Sequence, residues 1–394
     1  MSRVDSASSV SVPYAQGRTF YDADSHVMEI DDWLPQFADP GVRDKIRPLY
    51  LGGAGKLADK AKTAAVERRD DADATARLEE ALMTAKGWSA LGAFDKDERS
   101  RALDLLGFHK QLVFPTFAAT QFTSKDDEVM NGGTRALNRA MADFCADDPR
   151  LIGVASIYWG DVDTTVQLMN EALDAGNGAV MLPSAPPKDM SPTHPDWNPL
   201  WRTLEERNVP FLLHIGGDRR LLRPAFHNNG RPVTDLLGGG ENIRAKDYMV
   251  LHHSPEAFLS ALILDGTFEQ FPGLRGGVIE LGALWVVPWL KRLDIVQATF
   301  GRTEPPLKAL PMKASDYVHR NLAITPFPTE PVGWLIEECG DDLFLFSSDY
   351  PHPEGGKDPL AKFEGAMTGV SDVAKERFYS RNFADMLGMS AIAV

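Results

Sequence analysis

The 394-residue chain has only two cysteines, Cys145 and Cys339, far apart and in no paired motif. That spacing excludes a disulfide-stapled scaffold and a Cys-x-x-Cys redox or zinc motif, and it points to reduced thiols in a cytoplasmic protein. Long apolar runs are missing as well. No stretch approaches the roughly eighteen uninterrupted apolar residues of a membrane helix, so no membrane partner is expected. Positive charge is scarce, with 41 Lys and Arg against 56 Asp and Glu and a net charge of −15. Gripping nucleic acid takes a basic stripe that displaces counterions from phosphates, so nucleic acid is excluded as a partner. The first residues lack a basic segment followed by an apolar core. Residues 1–17, rich in Ser and Val, read as a disordered leader rather than a signal peptide.

What is present is an ordinary globular composition, 43% hydrophobic and 25% charged, in a chain long enough to bury a large core. Short apolar runs alternate with amphipathic stretches, the pattern of βα units and a parallel sheet. The runs predict strands at Thr19–His26, Gln111–Thr116, Leu151–Tyr158, Ala179–Pro183, Val209–Ile215, Gly276–Leu281, Leu322–Thr325 and Leu343–Ser348. Helical periodicity lies between them, at Thr134–Cys145, Val162–Ala175, Asn198–Arg207, Glu256–Glu269, Trp285–Phe300, Pro331–Glu338 and Val373–Leu387. Asp161 or Asp163 is the expected N-cap of the second helix and Gly176 its stop. Eight strands with interleaved helices favour an α/β fold of the closed (β/α)8 TIM-barrel type over an open sheet. One domain then spans 18–394, with a helical insertion at 50–90 between the first and second strands. Its charged, alanine-rich part, Lys56–Lys86, reads as a solvated helical segment or a lid over the barrel mouth. The long segment Gly216–Met249 is a second departure, and long loops inside compact domains carry function or disorder.

The strand ends carry the chemistry. Asp24 and His26 close the first strand at alternate positions, so they project together into the barrel mouth as a two-ligand clamp for a divalent metal. His214 closes the fifth strand, and a buried imidazole there needs a partner for each ring nitrogen. Glu280 sits inside an apolar run, where a carboxylate is rarely buried without a partner. Asp349 terminates the last apolar run, and His352 follows on the turn past Pro351. These six residues are the candidate metal ligands, with Asp349, His352, Glu280 and His253 the candidate catalytic groups. Arg219 and Arg220 could clamp a substrate carboxylate, and Phe117, Trp159, Trp285 and Tyr350 could line a pocket. Oxygen and nitrogen donors of this kind suit zinc, iron or manganese, as one or two ions.

Six stretches, Asp22–Glu29, Leu112–Thr116, Leu213–Ile215, Asp265–Pro272, Glu280–Trp285 and Ser347–His352, occur in order between about Tyr21 and Gly388. Through them the chain resembles the amidohydrolase-related family of barrel hydrolases and decarboxylases, which includes aminocarboxymuconate semialdehyde decarboxylase. The resemblance implies Asp24, His26, His214 and Asp349 as metal ligands, with Asp349 also orienting or deprotonating the attacking water. Two features depart from the family pattern. The first ligand is an aspartate where many members carry histidine or glutamate. Leu281, beside Glu280, stands where decarboxylase members place a catalytic histidine.

The expected function is metal-dependent hydrolysis of a C–N or C–C bond in a small organic substrate. Asp349 would take the proton of a metal-held water, and His352 or Glu280 would serve the leaving group. Three alternatives use the same residues. They are a dinuclear non-haem iron or manganese oxygenase, a non-oxidative decarboxylase, and a non-catalytic subunit of a hetero-oligomer. Homo- or hetero-oligomerisation is expected in each case.

Overall fold

A computed structural model describes residues 13–51, 55–68, 71–188, 190–217, 222–231 and 244–389. Eight short strands are all parallel: β1 (Tyr21–Asp22), β2 (His26–Val27), β3 (Lys110–Pro115), β4 (Leu151–Ser156), β5 (Ala179–Met181), β6 (Phe211–His214), β7 (Gly276–Ile279) and β8 (Leu322–Ile324). From β3 to β8 each strand pairs with the next, while β1 and β2 both pair with β3, through Tyr21 against Lys110 and His26 against Phe114. β1 and β2 are therefore two halves of one stave. They are split where the Asp22 carboxylate accepts the Asp24 N–H at 3.3 Å, a bond the ladder loses.

The eighth stave is Leu343–Tyr350, of which Leu343–Ser348 is predicted as a strand, but it is joined to its neighbours only by single bridges. Ile324 and Phe344 bridge on one side, Ser25 and Tyr350 on the other. Leu345 donates to the Ile324 carbonyl at 3.0 Å and Ala23 donates to the Phe346 carbonyl at 3.0 Å, which closes the ring. Phe346 turns its own N–H away to the Phe378 carbonyl, so no continuous ladder forms. The architecture is a (β/α)8 barrel.

Period-two alternation separates two cores. Tyr21, Ala23, Leu112, Phe114, Val154, Ala179, Leu212, Ile279, Ala323 and Leu345 fill the barrel interior, with Phe383 and Met386 of the C-terminal segment packed against them. Their sequence neighbours Val113, Val180, Phe211, Leu213 and Val278 face the surrounding helices. Removing one such side chain, as in Leu212→Ala, typically costs about 2–5 kcal/mol. Asp161 caps helix Val162–Asp174 by accepting from Thr164, and Gly176 follows it at φ +112°, as the sequence predicts. The stretch between the first two staves carries helices Gly55–Arg68 and Ala72–Glu80. The helix predicted at Val373–Leu387 is interrupted by a π turn over Arg377–Arg381.

The expected leader needs one correction. Tyr14 and Ala15 donate to the carbonyls of Leu105 and Leu106, and the Tyr14 hydroxyl bonds Asp358, so this stretch is packed rather than disordered. Residues 1–12 lie outside the described residues, as do 218–221, which include Arg219 and Arg220, and 232–243. Cys145 and Cys339 are unpaired, and burial pushes both thiols up. Among the described residues, no helix is long and apolar enough to cross a membrane.

Candidate metal centre

Every predicted ligand sits at the C-terminal ends of the staves. Asp24 and His26 come from the broken first stave, His214 ends β6, Glu280 follows β7, and Asp349 and His352 follow the closing stave. Phe114, at the top of the inner core, forms the floor. Its ring centroid lies 4.4 Å from that of His214 and 5.8 Å from that of His26.

The six side chains form two groups that share His26. One atom from each of Asp24, His26, His214 and Glu280 lies within 4.8 Å of the others, and the same holds for His26, Asp349 and His352. His26 Nε2 is 3.2 Å from Asp24 and 3.6 Å from Asp349. His214 Nε2 is 3.4 Å from both Asp24 and Glu280, while its Nδ1 lies 3.0 Å from the Ile215 carbonyl. His352 Nδ1 approaches Asp349 at 3.0 Å, and its Nε2 meets the Thr116 hydroxyl at 3.1 Å. The His26 and His352 rings stack at 3.9 Å.

Both ring nitrogens of His26 and Oδ1 of Asp349 are buried, yet they make no hydrogen bond, because the close His26–Asp24 approach is misaligned for one. A buried polar atom without a partner costs roughly 1–3 kcal/mol. A divalent cation satisfies several such atoms at once, so these residues fit one.

The electrostatics agree. Burial, then the neighbouring His352, pushes His26 down to about 4 against the pull of Asp24, which leaves a neutral ring able to ligate at neutral pH. Burial alone would push Asp24 up, but the His214 and His26 rings hold it well below the usual carboxylate range. The same pairing outweighs burial at His214 and raises it.

Two ligands stand in sparsely populated backbone. Glu280 and Asp349 adopt φ values of +56° and +52°, which cost a non-glycine residue about 1–2 kcal/mol each. The surrounding bonds hold them there. Glu280 N–H donates to the Thr325 hydroxyl at 2.9 Å, and Asp349 N–H donates to the Asp24 carbonyl at 2.9 Å.

Beneath the ligands lies a buried network that the sequence reading did not single out. Asp22 accepts from Gln111 Nε2 at 2.8 Å, from Ser348 N at 2.7 Å and from the Ser348 hydroxyl at 2.6 Å. Arg99, fully buried, donates to Gln111, to the Gly92 carbonyl and to the His26 carbonyl. Burial pushes the Asp22 carboxyl up to about 7, although Ser348 and Gln111 oppose the shift. Asp22 stands two residues before Asp24, and that doubled Asp-x-Asp was the signal available. Lys86 was also missed, hidden in a charged stretch.

Several expected members belong elsewhere. His253 is exposed at the start of helix His253–Leu264, with its ring against His252, and joins neither ligand group. Tyr350 is buried, with its hydroxyl bonded to the Leu91 carbonyl, and Trp159 packs against Trp197, so both are core residues rather than pocket lining. Phe117 stacks on Trp88. Trp285 does line a cleft of about 510 Å³, together with His252, Phe327 and Leu281, the neighbour of Glu280.

A family model described as amidohydrolase matches residues 21–389. The chain belongs to the amidohydrolase family. Solved structures agree on the fold. An amidohydrolase from Mycobacterium avium subsp. paratuberculosis K-10 is similar at 21% identity and TM-score 0.71, over 95% of this chain and 100% of that one. A 5-carboxyvanillate decarboxylase from Sphingomonas paucimobilis is similar at 18% identity and TM-score 0.61, over 95% and 100%. A manganese-bound 5-carboxyvanillate decarboxylase from Novosphingobium aromaticivorans is similar at 18% and 0.61, over 96% and 98%. No curated protein matches this amidohydrolase-family chain. The His, Asp and Glu side chains gathered here form a donor set that fits a divalent metal.

Proposed function

We propose that this amidohydrolase-family enzyme hydrolyses a C–N or C–C bond of a small organic substrate at a site that holds a divalent metal. The observation that carries the reading is His26, buried with neither ring nitrogen hydrogen-bonded and with its Nε2 between Asp24 and Asp349. Asp24, His214 and Asp349 would complete the donors, and Glu280 and His352 stand beside them. When bound, the metal polarises the scissile group and brings the pKa of its water from about 16 toward about 7.

The chain's own residues do the rest. Asp349 accepts the water proton, and His352, 3.0 Å away, holds that carboxylate in place. Thr116 fixes the far nitrogen of His352, so the imidazole keeps one orientation. His352, beside Asp349, is placed to pass that proton on to the leaving group. The test is turnover in ¹⁸O-labelled water by the metal-loaded chain, over a set of small amides and diketones. One labelled oxygen per cleavage supports hydrolysis. Product formed without label, or undiminished turnover by Asp349→Ala, refutes it.

A second reading is oxygenation. Six hard nitrogen and oxygen donors around two positions also suit iron or manganese pairs, and oxygen consumption by the reduced, iron-loaded chain would favour it over hydrolysis. Non-oxidative decarboxylation is supported by the structural neighbours named as decarboxylases and is weakened by Leu281, which stands where a histidine would be needed. Carbon dioxide release without oxygen uptake is its signature.

A further inference from the structure

Lys86 lies near Asp349 and has no role so far. It precedes the short helical turn Gly87–Ser89, whose Gly87 N–H donates to the Pro351 carbonyl at 2.8 Å. That bond ties Lys86 to the loop between Asp349 and His352. Trp88 anchors the same turn from the other side, donating to the Glu29 carbonyl at 3.0 Å and stacking on Phe117. Glu29 in turn accepts from Thr116 and Phe117, so the turn is fastened to the end of β3 as well. On this rigid mount the Lys86 ammonium is buried without a hydrogen-bond partner. The charges facing it are Asp349 and Glu354, and neither comes within ion-pair distance. Burial pulls its pKa down, as expected of an ammonium that lacks water and a close counter-ion.

A buried unpaired ammonium is expensive to keep, and a fold that holds one on two anchors beside a metal centre has a use for it. We propose that Lys86 anchors a carboxylate group of the substrate, so that the site selects small carboxylic acids over neutral compounds. This rests on the metal reading above, because Asp24, Glu280 and Asp349 would repel an anion unless a bound metal offset them. A single compact ammonium with three donors suits a carboxylate oxygen.

The test uses the full chain loaded with cobalt(II), whose visible bands report ligands entering the metal site. Acetate is titrated against acetamide, a neutral molecule of the same shape, into wild type, Lys86→Gln and Lys86→Arg. Wild type should bind acetate in preference to acetamide. Lys86→Gln should weaken acetate about tenfold or more and leave acetamide unchanged, and Lys86→Arg should restore acetate to within about threefold. Cobalt affinity should be no lower in Lys86→Gln, because a nearby positive charge has gone. Equal acetate binding by wild type and Lys86→Gln overturns the proposal. So does a Lys86→Gln chain that loses cobalt, since that marks a structural role. Lys86→Met, similar in length and uncharged, replaces glutamine if that variant does not fold. Failure of wild type to take up cobalt at all would instead remove the metal reading, and this proposal with it.

Discussion

Asp22 and Ser348 are 326 positions apart, and two hydrogen bonds, of 2.7 and 2.6 Å, join them at the closure of the barrel. Each lies close to a ligand in sequence, Asp22 before Asp24 and Ser348 before Asp349. The pair therefore sets the spacing between ligands from opposite ends of the chain. Outer residues of this kind usually shift metal affinity by about 10–100-fold when removed. Asp22→Ala should weaken metal binding by that order and destabilise the fold by roughly 2–4 kcal/mol, because it strands the donors of Ser348 and Gln111. Denaturant melts and metal titration measure the two effects, and unchanged metal affinity would show that Asp22 serves folding alone.

The barrel and the placement of most candidate ligands were legible because both follow from simple periodicities. Seven of the eight predicted strands fall on observed strands or their halves, and His214 extends the alternation that turns Leu212 inward. Asp24, His26, Asp349 and His352 could be read from strand ends. The closing stave was legible only as an apolar run, since its bonds are divided among β8, the first stave and the Phe378 carbonyl. Left-handed backbone at Glu280 and Asp349 leaves no mark in composition, because glycine, its usual signal, is absent at both positions. Lys86 could not be separated from its charged neighbours. Only the bond from Gly87 to Pro351 brings it to the site.

The strained backbone at Glu280 makes a test in which stability and function move apart. Glycine adopts its φ of +56° freely, whereas alanine does not. Glu280→Gly should be more stable than Glu280→Ala by about 1 kcal/mol, while both lose metal to the same extent. Equal stabilities would mean that the conformation carries no strain.

Proton release should accompany metal uptake. Burial would lower His214, but Asp24 beside it raises it above its ordinary 6.5, so protons compete with an incoming ion for that ring. Metal affinity should therefore fall as pH drops, and calorimetry in buffers of different ionisation enthalpy should register the released proton. His214→Asn should reduce that proton count. Uptake that is independent of pH would contradict the paired state of His214.

A separate pH dependence belongs to His319 and Asp342, 3.1 Å apart, which fasten helix Ala314–Asn321 to the start of the closing stave. The Asp342 bond raises His319 above its ordinary 6.5, so that contribution is complete below 6.5 and is lost as pH rises through the folded value. Asp342 is lowered below 3.8 because the His319 bond and charge outweigh its burial, so its contribution is lost as pH falls through its own folded value. His319→Gln should therefore cost most between about pH 4 and 6.5, and progressively less as pH rises through the folded value of His319. Both groups are about one-third exposed, so the cost should stay near 0.2–1 kcal/mol. Thermal melts across that range measure it, and a deficit that grows with pH would reverse the assignment.

Residues from both ends of the chain converge on a divalent metal, with His26 at the centre of the donor set. Metal quantification on anaerobically purified chain tests this most directly. Wild type should carry at least one ion per chain, and His26→Ala should carry far less, because His26 belongs to both groups of candidate ligands. A wild-type chain without bound metal, or a His26→Ala chain that keeps the wild-type complement, would contradict it.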